Sequence, residues 1–199
     1  LAKIKNMRSK IKDYMFRSVE NYNCIMHDKY ILENLERILV VSVEAFQQNK
    51  KMLFCGNGGS AADAQHIAAE LSGRFYFDRP PLYAEALHVN TSFLTAAAND
   101  FGYEETYARM LEACGEKGDI LVGISTSGNS INVVKAIEKA NDLGITTIGL
   151  TGNHGGRMAD ICDLIIKIPS NDTPRIQEGH ILIGHIICQL IEEELFSDA

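Results

Sequence analysis

Apolar residues recur every three or four positions through the first quarter of the chain, which is the spacing of one buried face of a helix. The pattern predicts two amphipathic helices, over residues 2–22 and 28–49. The second helix has the clearer apolar stripe, at Ile31, Leu35, Ile38, Leu39, Val43 and Phe46. We therefore expect a pair of helices ahead of the rest of the fold.

From residue 52 onward, short apolar runs alternate with helical patterns. The apolar runs predict strands over residues 52–55, 84–87, 120–125, 146–150 and 164–168. The helical patterns cover residues 60–72, 92–98, 103–114, 130–142 and 174–196. Such alternation is typical of an α/β fold, here a three-layer sandwich in which helices cover both faces of a five-stranded parallel sheet.

The last predicted helix is apolar nearly all round, which indicates burial on most sides. We expect Thr173 to cap it and Pro174 to be its first residue. Two surroundings fit such a helix: the core of one protomer, or a neighbouring subunit. In a chain of this size we favour the neighbouring subunit.

Composition narrows the class of protein. The 199 residues suffice for one sizeable domain, and a net charge of -7 without a basic cluster argues against nucleic acid as a main partner. No apolar run reaches the roughly 18 residues of a membrane span, and the charged N-terminus is unlike a secretory signal. Five scattered cysteines without zinc-finger spacing favour a reducing cytoplasm.

Residues 125–130, Ser-Thr-Ser-Gly-Asn-Ser, form the most informative motif. They join a predicted buried strand to a predicted helix, where free backbone N–H groups, the helix dipole and small hydroxyl donors suit a phosphate. The chain has neither a P-loop lysine nor G-x-G-x-x-G spacing here, which weakens a nucleotide site. A monophosphate on a small metabolite fits better.

A second turn, Gly56-Asn57-Gly58-Gly59-Ser60, follows the first predicted strand. Its glycines permit close approach of the backbone to a ligand. The plainer interpretation is a tight strand-to-helix turn capped by Ser60. Together with the serine-rich turn, it predicts two ligand-facing turns on one rim of the sheet.

His66 and Glu70 are four residues apart, so they share one face of the following helix. They could share a metal or a proton, or form an ordinary surface pair. Gln177 and His185, on the last helix, are about 80° apart in azimuth with Cα atoms ~12 Å apart, so only side chains that bend toward each other could meet at one ion. Satisfied core residues are the alternative. His180 points ~140° away from His185 and is expected to pack or to support.

Asn99 and Asp100 follow the helix predicted over residues 92–98. Both are ordinary turn formers, and both have side chains able to contact a polyol. Both interpretations stay open from the residues alone.

Taken in order, these motifs closely resemble the sedoheptulose-7-phosphate (phosphoheptose) isomerases of the sugar-isomerase (SIS) domain superfamily, over nearly the whole chain. The segments that carry the resemblance are Cys-Gly-Asn-Gly-Gly-Ser-Ala at 55–61, His66 with Glu70, Asn-Asp-Phe-Gly at 99–102, Gly-Ile-Ser-Thr-Ser-Gly-Asn-Ser at 123–130, and Arg-Ile-Gln-Glu at 175–178 with His185. The serine turn marks the superfamily, whereas Glu70, Gln177 and His185 mark the isomerase.

The resemblance implies a flavodoxin-like SIS domain over residues 1–199, with residues 1–49 as an N-terminal helical extension. It also implies a cytoplasmic homotetramer with active sites at the subunit interfaces. Pro174 departs from the family pattern, since some members have an aspartate there; its sugar contact is then absent or supplied by Asp172.

The resemblance assigns site residues as well. Phosphate would be held by Ser125, Thr126, Ser127 and Ser130. Sugar contacts would come from Asn57, Gly58, Gly59, Ser60, Glu70, Asn99, Asp100 and Gln177. One zinc ion per subunit would be held by His66, Glu70, Gln177 and His185.

The implied reaction converts sedoheptulose 7-phosphate to D-glycero-D-manno-heptose 7-phosphate through an enediol, which supplies activated heptose for glycans such as lipopolysaccharide. We expect Glu70 to act as the base at carbon and His185 to protonate or relay at oxygen. Zinc would polarise the carbonyl, although a zinc-bound carboxylate is a poorer base.

Three alternatives remain. One is a non-catalytic SIS-domain protein of the type that binds the replication initiator, a group without the glutamate and histidine that match Glu70 and His185. The others are a sugar-phosphate sensor, which usually has an attached DNA-binding domain, and an isomerase of another sugar phosphate.

Overall fold

Two long helices precede the sheet in the computed structural model, which describes residues 7–197. Helix α1 spans Met7–His27 and α2 spans Lys29–Gln47. Asp28 separates them, because its carboxylate accepts the N–H groups of Tyr30 and Ile31 as the N-cap of α2. The first predicted helix is therefore right in type but ends five residues later than expected. Its positions 2–6 lie outside the described residues, as do 1, 198 and 199 of the predicted domain.

Five parallel strands form one sheet, as predicted. They are β1 (Met52–Gly56), β2 (Ala84–Ala86), β3 (Ile120–Ser125), β4 (Thr146–Gly152) and β5 (Leu164–Ile168). Their order across the sheet is β2-β1-β3-β4-β5. From β1 the chain adds β2 on one side and then crosses to add β3 on the other, so the strand order reverses between β1 and β3. In open α/β sheets ligands bind at such a switch point.

The remaining helices agree with the predictions to within a few residues. They are α3 (Gly59–Ser72), α4 (Thr91–Phe101), α5 (Thr106–Cys114), α6 (Ile131–Leu143), α7 (Met158–Ile161) and α8 (Thr173–Phe196), with a 3-10 turn at Tyr103–Glu105. Sequence periodicity missed α7 because four residues are too few to show it. Two predicted caps were wrong: Gly58 rather than Ser60 precedes α3, and Asp172 rather than Thr173 precedes α8.

Alternate residues of each strand supply two separate cores, which confirms the three-layer sandwich. In β3, Val122 points into the core beneath α2, α3 and α8, whereas Leu121 points into the core beneath α5 and α6. Both side chains are almost wholly buried. The sheet is thereby covered on both faces, as a parallel sheet must be.

Helix α8 is buried largely by its own chain. It packs on α1, α2, α3 and β4, and residues such as Ile183, Cys188 and Ile191 have no exposed surface. Its apolar character is therefore explained within one protomer, and we no longer take it as an argument for a second subunit. Among residues 7–197, no helix is both long enough and apolar enough to cross a membrane.

Candidate active site

The two turns that were predicted to face a ligand lie side by side at the carboxyl edge of the sheet. Gly56, the last residue of β1, is in register with Ile124 of β3, so the segments that follow these strands begin next to each other. The sequence-based expectation of one shared rim is confirmed. This rim is at the β1/β3 switch point.

The hydroxyl groups of the serine turn face one another. The Ser125 Oγ lies 2.9 Å from the Ser130 Oγ and 3.4 Å from the Ser127 Oγ. Ser130 is the N-cap of α6, yet its side chain makes no capping hydrogen bond to that helix. Three small hydroxyls therefore meet at the positive end of α6, which is an arrangement suited to an anion. Thr126, half-buried, accepts the Gly152 N–H at its carbonyl (3.1 Å).

A neighbouring glycine-rich loop supports the serine turn. Gly128 has a φ of 66°, and a Cβ there would collide with the carbonyl of Gly155, so a glycine is required on two counts. The Asn129 Oδ1 accepts the Arg157 N–H at 3.0 Å. The sequence marks Gly155 and Gly156 as a glycine-rich turn after a strand, but it does not link them to the serine turn, because that contact is set by packing between the loops after β3 and β4.

In the glycine turn, the Asn57 side chain is engaged within the protein. Its amide forms a reciprocal pair with the Asn132 amide, both hydrogen bonds being 2.9 Å. The Tyr103 hydroxyl also donates to the Asn57 Oδ1 at 3.2 Å. Asn57 thus retains one free amide hydrogen for a ligand. Asn132 and Tyr103 were not singled out from the sequence, since nothing in their spacing links them to Asn57.

Gly58 and Gly59 allow the backbone to turn sharply into α3 and to lie against the Gln177 side chain. Gly58 has a φ of 57° and precedes α3, while the side-chain amide of Gln177 packs directly on Gly59. Ser60 is buried at the start of α3. Gln177 therefore lies at the glycine turn. His66 is seven residues after Gly59 on α3, about 10 Å away along the helix axis.

His66, Glu70 and His185 come together on the facing sides of α3 and α8. The His66 Nε2 lies 3.0 Å from the Glu70 Oε1 and 3.2 Å from the His185 Nε2. One ligand atom from each of the three lies within 4.8 Å of the other two. Two imidazole nitrogens and one carboxylate oxygen are a donor set that catalytic zinc accepts, so these residues fit the metal that the resemblance implies.

The group is open enough to admit a ligand. His66 is exposed, whereas Glu70 and His185 are half-buried. The His185 ring contacts the His66 ring and the Phe75 ring, at centroid distances of 5.0 and 5.8 Å. Helix α8 can come this close to α3 because Gly184 faces Ile67: a Cβ at Gly184 would lie 2.5 Å from an Ile67 methyl group.

Two of the predicted residues form a separate pair on α4. Asn99 and Asp100 are exposed in the last turn of α4, and the Asn99 Nδ2 donates to the Asp100 Oδ1 at 2.8 Å. They are helical residues rather than a turn after the helix. Among residues 7–197, the one side-chain hydrogen bond of this pair is to each other.

His180 packs in the interior, in keeping with its expected supporting role. Its ring has no exposed surface, and its Nε2 lies 3.1 Å from the carbonyl oxygen of Thr151, at the end of β4. Burial lowers the pKa of His180 to about 4, so the ring is neutral at pH 7 and donates to that carbonyl.

Comparison with known proteins agrees with this geometry. The family model described as the SIS domain matches residues 27–152. The chain is 52% identical to a phosphoheptose isomerase of Aneurinibacillus thermoaerophilus over 96% of each chain. It is 48% identical to one of Clostridium acetobutylicum over 96% of this chain and 98% of the relative.

Solved structures give the same result. Phosphoheptose isomerase GmhA of Neisseria gonorrhoeae superimposes with a TM-score of 0.88 at 37% identity, over 94% of this chain and 99% of that one. A phosphoheptose isomerase of Francisella tularensis gives a TM-score of 0.85 at 33% identity, over 94% and 98%. The sequence-based resemblance is confirmed.

Proposed function

This chain belongs to the phosphoheptose isomerases of the SIS-domain family, and we propose that it interconverts sedoheptulose 7-phosphate and D-glycero-D-manno-heptose 7-phosphate. It is an aldose–ketose isomerase. The observation that carries the assignment is the meeting of Glu70 with two histidines from separate helices, in a chain whose sheet rim also presents three serine hydroxyls.

The serine turn is the proposed phosphate site. The hydroxyls of Ser125, Ser127 and Ser130 and the first N–H groups of α6 supply hydrogen-bond donors without a charged side chain. Thr126 lies in the same turn. Binding of the phosphate fixes the far end of the sugar. The reacting carbons are then held in one orientation toward the catalytic groups, which lowers the entropic cost of the reaction.

Two residues perform the proton transfers in the proposed mechanism. Glu70 removes a proton from the carbon next to the carbonyl and returns it to the neighbouring carbon, through an enediol. His185 moves a proton between the two oxygens of those carbons. The 4.8 Å limit on the separation of their reactive atoms allows both residues to reach adjacent carbons of one substrate.

We also propose that His66, Glu70 and His185 hold one zinc ion per subunit, with Gln177 as the fourth ligand. When bound, zinc supplies Lewis acidity at the substrate carbonyl oxygen. Gln177 lies beside Gly59, so it must reach the group by side-chain rotation or be provided by a neighbouring protomer.

A homotetramer with shared active sites is part of the proposal. Helix α1 has an apolar stripe that is between 37% and 64% exposed, made of Ile11, Met15, Val19, Tyr22 and Met26. A stripe of this kind marks an interface, and its three- and four-residue steps suit a second α1. Glu70 is also about 16 Å along α3 from Gly59 at the rim, and a serine turn from a neighbouring protomer would shorten that separation.

We further propose a cytoplasmic location and a role in heptose supply for surface glycans such as lipopolysaccharide. The five cysteines, all without a disulfide partner, are consistent with a reducing compartment. Neither nucleic acid nor a membrane is a proposed partner.

One experiment tests the function directly. The purified protein is incubated with sedoheptulose 7-phosphate, and aldose formation is followed by NMR with and without a chelator. We expect conversion that the chelator abolishes and that zinc restores. No conversion by the metal-loaded protein would refute the isomerase, whereas conversion that is unaffected by chelator would refute only the zinc.

A further inference from the structure

A buried ion pair joins the ends of the two helices that carry the catalytic group. The Arg79 Nε donates to the Glu192 Oε1 at 2.8 Å, and the two side chains are 2% and 1% exposed. A buried pair of this kind is costly unless every polar atom is satisfied. Here both partners make further hydrogen bonds, most of them to the end of α3 and the segment that follows it.

Glu192 holds the segment that follows α3. Its two carboxylate oxygens accept the backbone N–H groups of Phe75, Tyr76 and Phe77, at 2.6 to 3.1 Å. Burial alone would raise the pKa of Glu192, but these N–H groups and the Arg79 guanidinium outweigh burial and hold the pKa below its ordinary value. The carboxylate is therefore a fixed negative charge on α8.

Arg79 holds the last turn of α3 itself. Its Nη2 donates to the carbonyl oxygen of Glu70 at 3.0 Å, and its Nη1 donates to that of Leu71 at 2.9 Å. Carbonyls at the end of a helix have no partner within the helix, so the guanidinium caps α3. One of the two carbonyls belongs to the residue proposed as the catalytic base.

Glu192 is linked to His185 of the same helix through Phe75. The two residues are seven positions apart on α8, so they share one face. Phe75, whose N–H donates to Glu192 at 3.1 Å, has its ring 5.8 Å from the His185 ring. The pair thus fixes the backbone of Glu70 on one helix and the aromatic neighbour of His185 on the other.

We propose that Arg79 and Glu192 are positioning residues, which hold the Glu70 carboxylate and the His185 imidazole at the separation that proton transfer and metal binding require. This inference rests on the proposed function. Neither residue reaches the reacting atoms. Their effect acts through the end of α3 and through Phe75, and supporting contacts of this type affect activity or metal affinity by about 10- to 100-fold.

The test compares two buried carboxylates. Glu192→Gln removes the charge with almost no change of shape. Asp119→Asn is the matched control, because Asp119 is also wholly buried, accepts the N–H groups of Lys51 and Glu116, and pairs with the Lys51 ammonium at 3.0 Å. Asp119 precedes β3, at the opposite edge of the sheet from the rim.

We expect Glu192→Gln to lower kcat about 10- to 100-fold with KM changed less than about threefold, and to weaken zinc binding, measured by competition with a chromogenic chelator. Asp119→Asn should leave kcat and zinc affinity at wild-type values. Equal effects of the two variants, or no effect of Glu192→Gln on either quantity, would overturn the proposal. If Glu192→Gln does not fold, Arg79→Lys keeps the charge and is measured in its place.

A third readout separates this inference from the function. Amide hydrogen exchange of residues 66–77 should be faster in Glu192→Gln and unchanged in Asp119→Asn. If the wild-type protein binds zinc but does not convert the heptose phosphate, the function fails and the exchange and zinc data still test the positioning. Unchanged exchange with intact wild-type turnover would refute the positioning alone.

Discussion

The serine turn and the α3–α8 contact are built in opposite ways. The serine turn takes its donors from six consecutive residues, and Ser125 meets Ser130 through local backbone geometry. The α3–α8 contact joins residues 119 positions apart, His66 and His185, and a supporting pair 113 positions apart, Arg79 and Glu192. In the proposed function the serine turn binds substrate and depends on local backbone geometry, whereas the α3–α8 contact performs the proton transfers and depends on tertiary packing. Changes in the two regions should therefore alter different kinetic quantities.

The largest expected effect is on the α3–α8 contact. Glu70→Gln should lower kcat by roughly 10²- to 10⁴-fold, since it removes the proposed base, and should leave the Tm close to that of wild type because the side chain is half-buried. Steady-state kinetics and thermal unfolding measure the two. Glu194→Gln, exposed on α8, is the control. Near-normal turnover in Glu70→Gln would exclude Glu70 as the base.

A second prediction concerns His180, which connects α8 to the rim at Thr151. Burial lowers its pKa to about 4, so below about pH 6.5 the unfolded chain binds a proton that the folded protein does not. Stability should therefore fall as pH decreases from about 6.5 to 4, by about 3 kcal/mol. Urea unfolding at pH 7.5 and pH 5 should show about 2 kcal/mol of this loss, because pH 5 lies partway through the interval between the two pKa values. The loss should be smaller in His180→Gln, and an identical loss in that variant would assign it to other groups.

A smaller effect is expected at the serine turn. Ser127→Ala removes one donor to the phosphate and should raise KM about tenfold with little change in kcat, because a hydrogen bond to a charged group contributes about 1.5 kcal/mol in ground state and transition state alike. Ser92→Ala, exposed near the start of α4, is the control. A fall in kcat with unchanged KM would contradict the separation of the two regions.

The smallest effect is expected at Tyr103. Tyr103→Phe removes the hydroxyl that donates to the Asn57 Oδ1 and should raise KM two- to fivefold, as expected for the loss of about 0.5 to 1 kcal/mol. Product-formation assays at varied substrate concentration measure the change. A larger effect, on the scale of Glu70→Gln, would mean that Tyr103 contacts the reacting atoms.

Features that depend on neighbouring residues could be predicted from the sequence. The five strands and the shared rim followed from short apolar runs and from turns at their ends, since both depend on neighbouring residues. The pairing of His66 with Glu70 followed from helical spacing. Their meeting with His185 did not follow from spacing, and only the family resemblance suggested it before the fold was known.

Several contacts lay beyond sequence reasoning for physical reasons. The Asn57–Asn132 amide pair joins the turn after β1 to α6, and Arg79 lies in an irregular segment with no periodic pattern. Each depends on how layers pack, which periodicity does not describe. Ser60 and Thr173 looked like helix caps by residue type, but the neighbouring Gly58 and Asp172 occupy those positions.

Gly184 shows how a residue without a functional group can govern chemistry. It has no side chain to offer, and it is the neighbour of His185 that faces Ile67. A protein that retained His66, Glu70 and His185 but had a bulkier residue at position 184 would have α3 and α8 forced apart. Its sequence would still contain all three residues of the group. A search for active relatives should therefore require a glycine at position 184 as well as the three residues of the group.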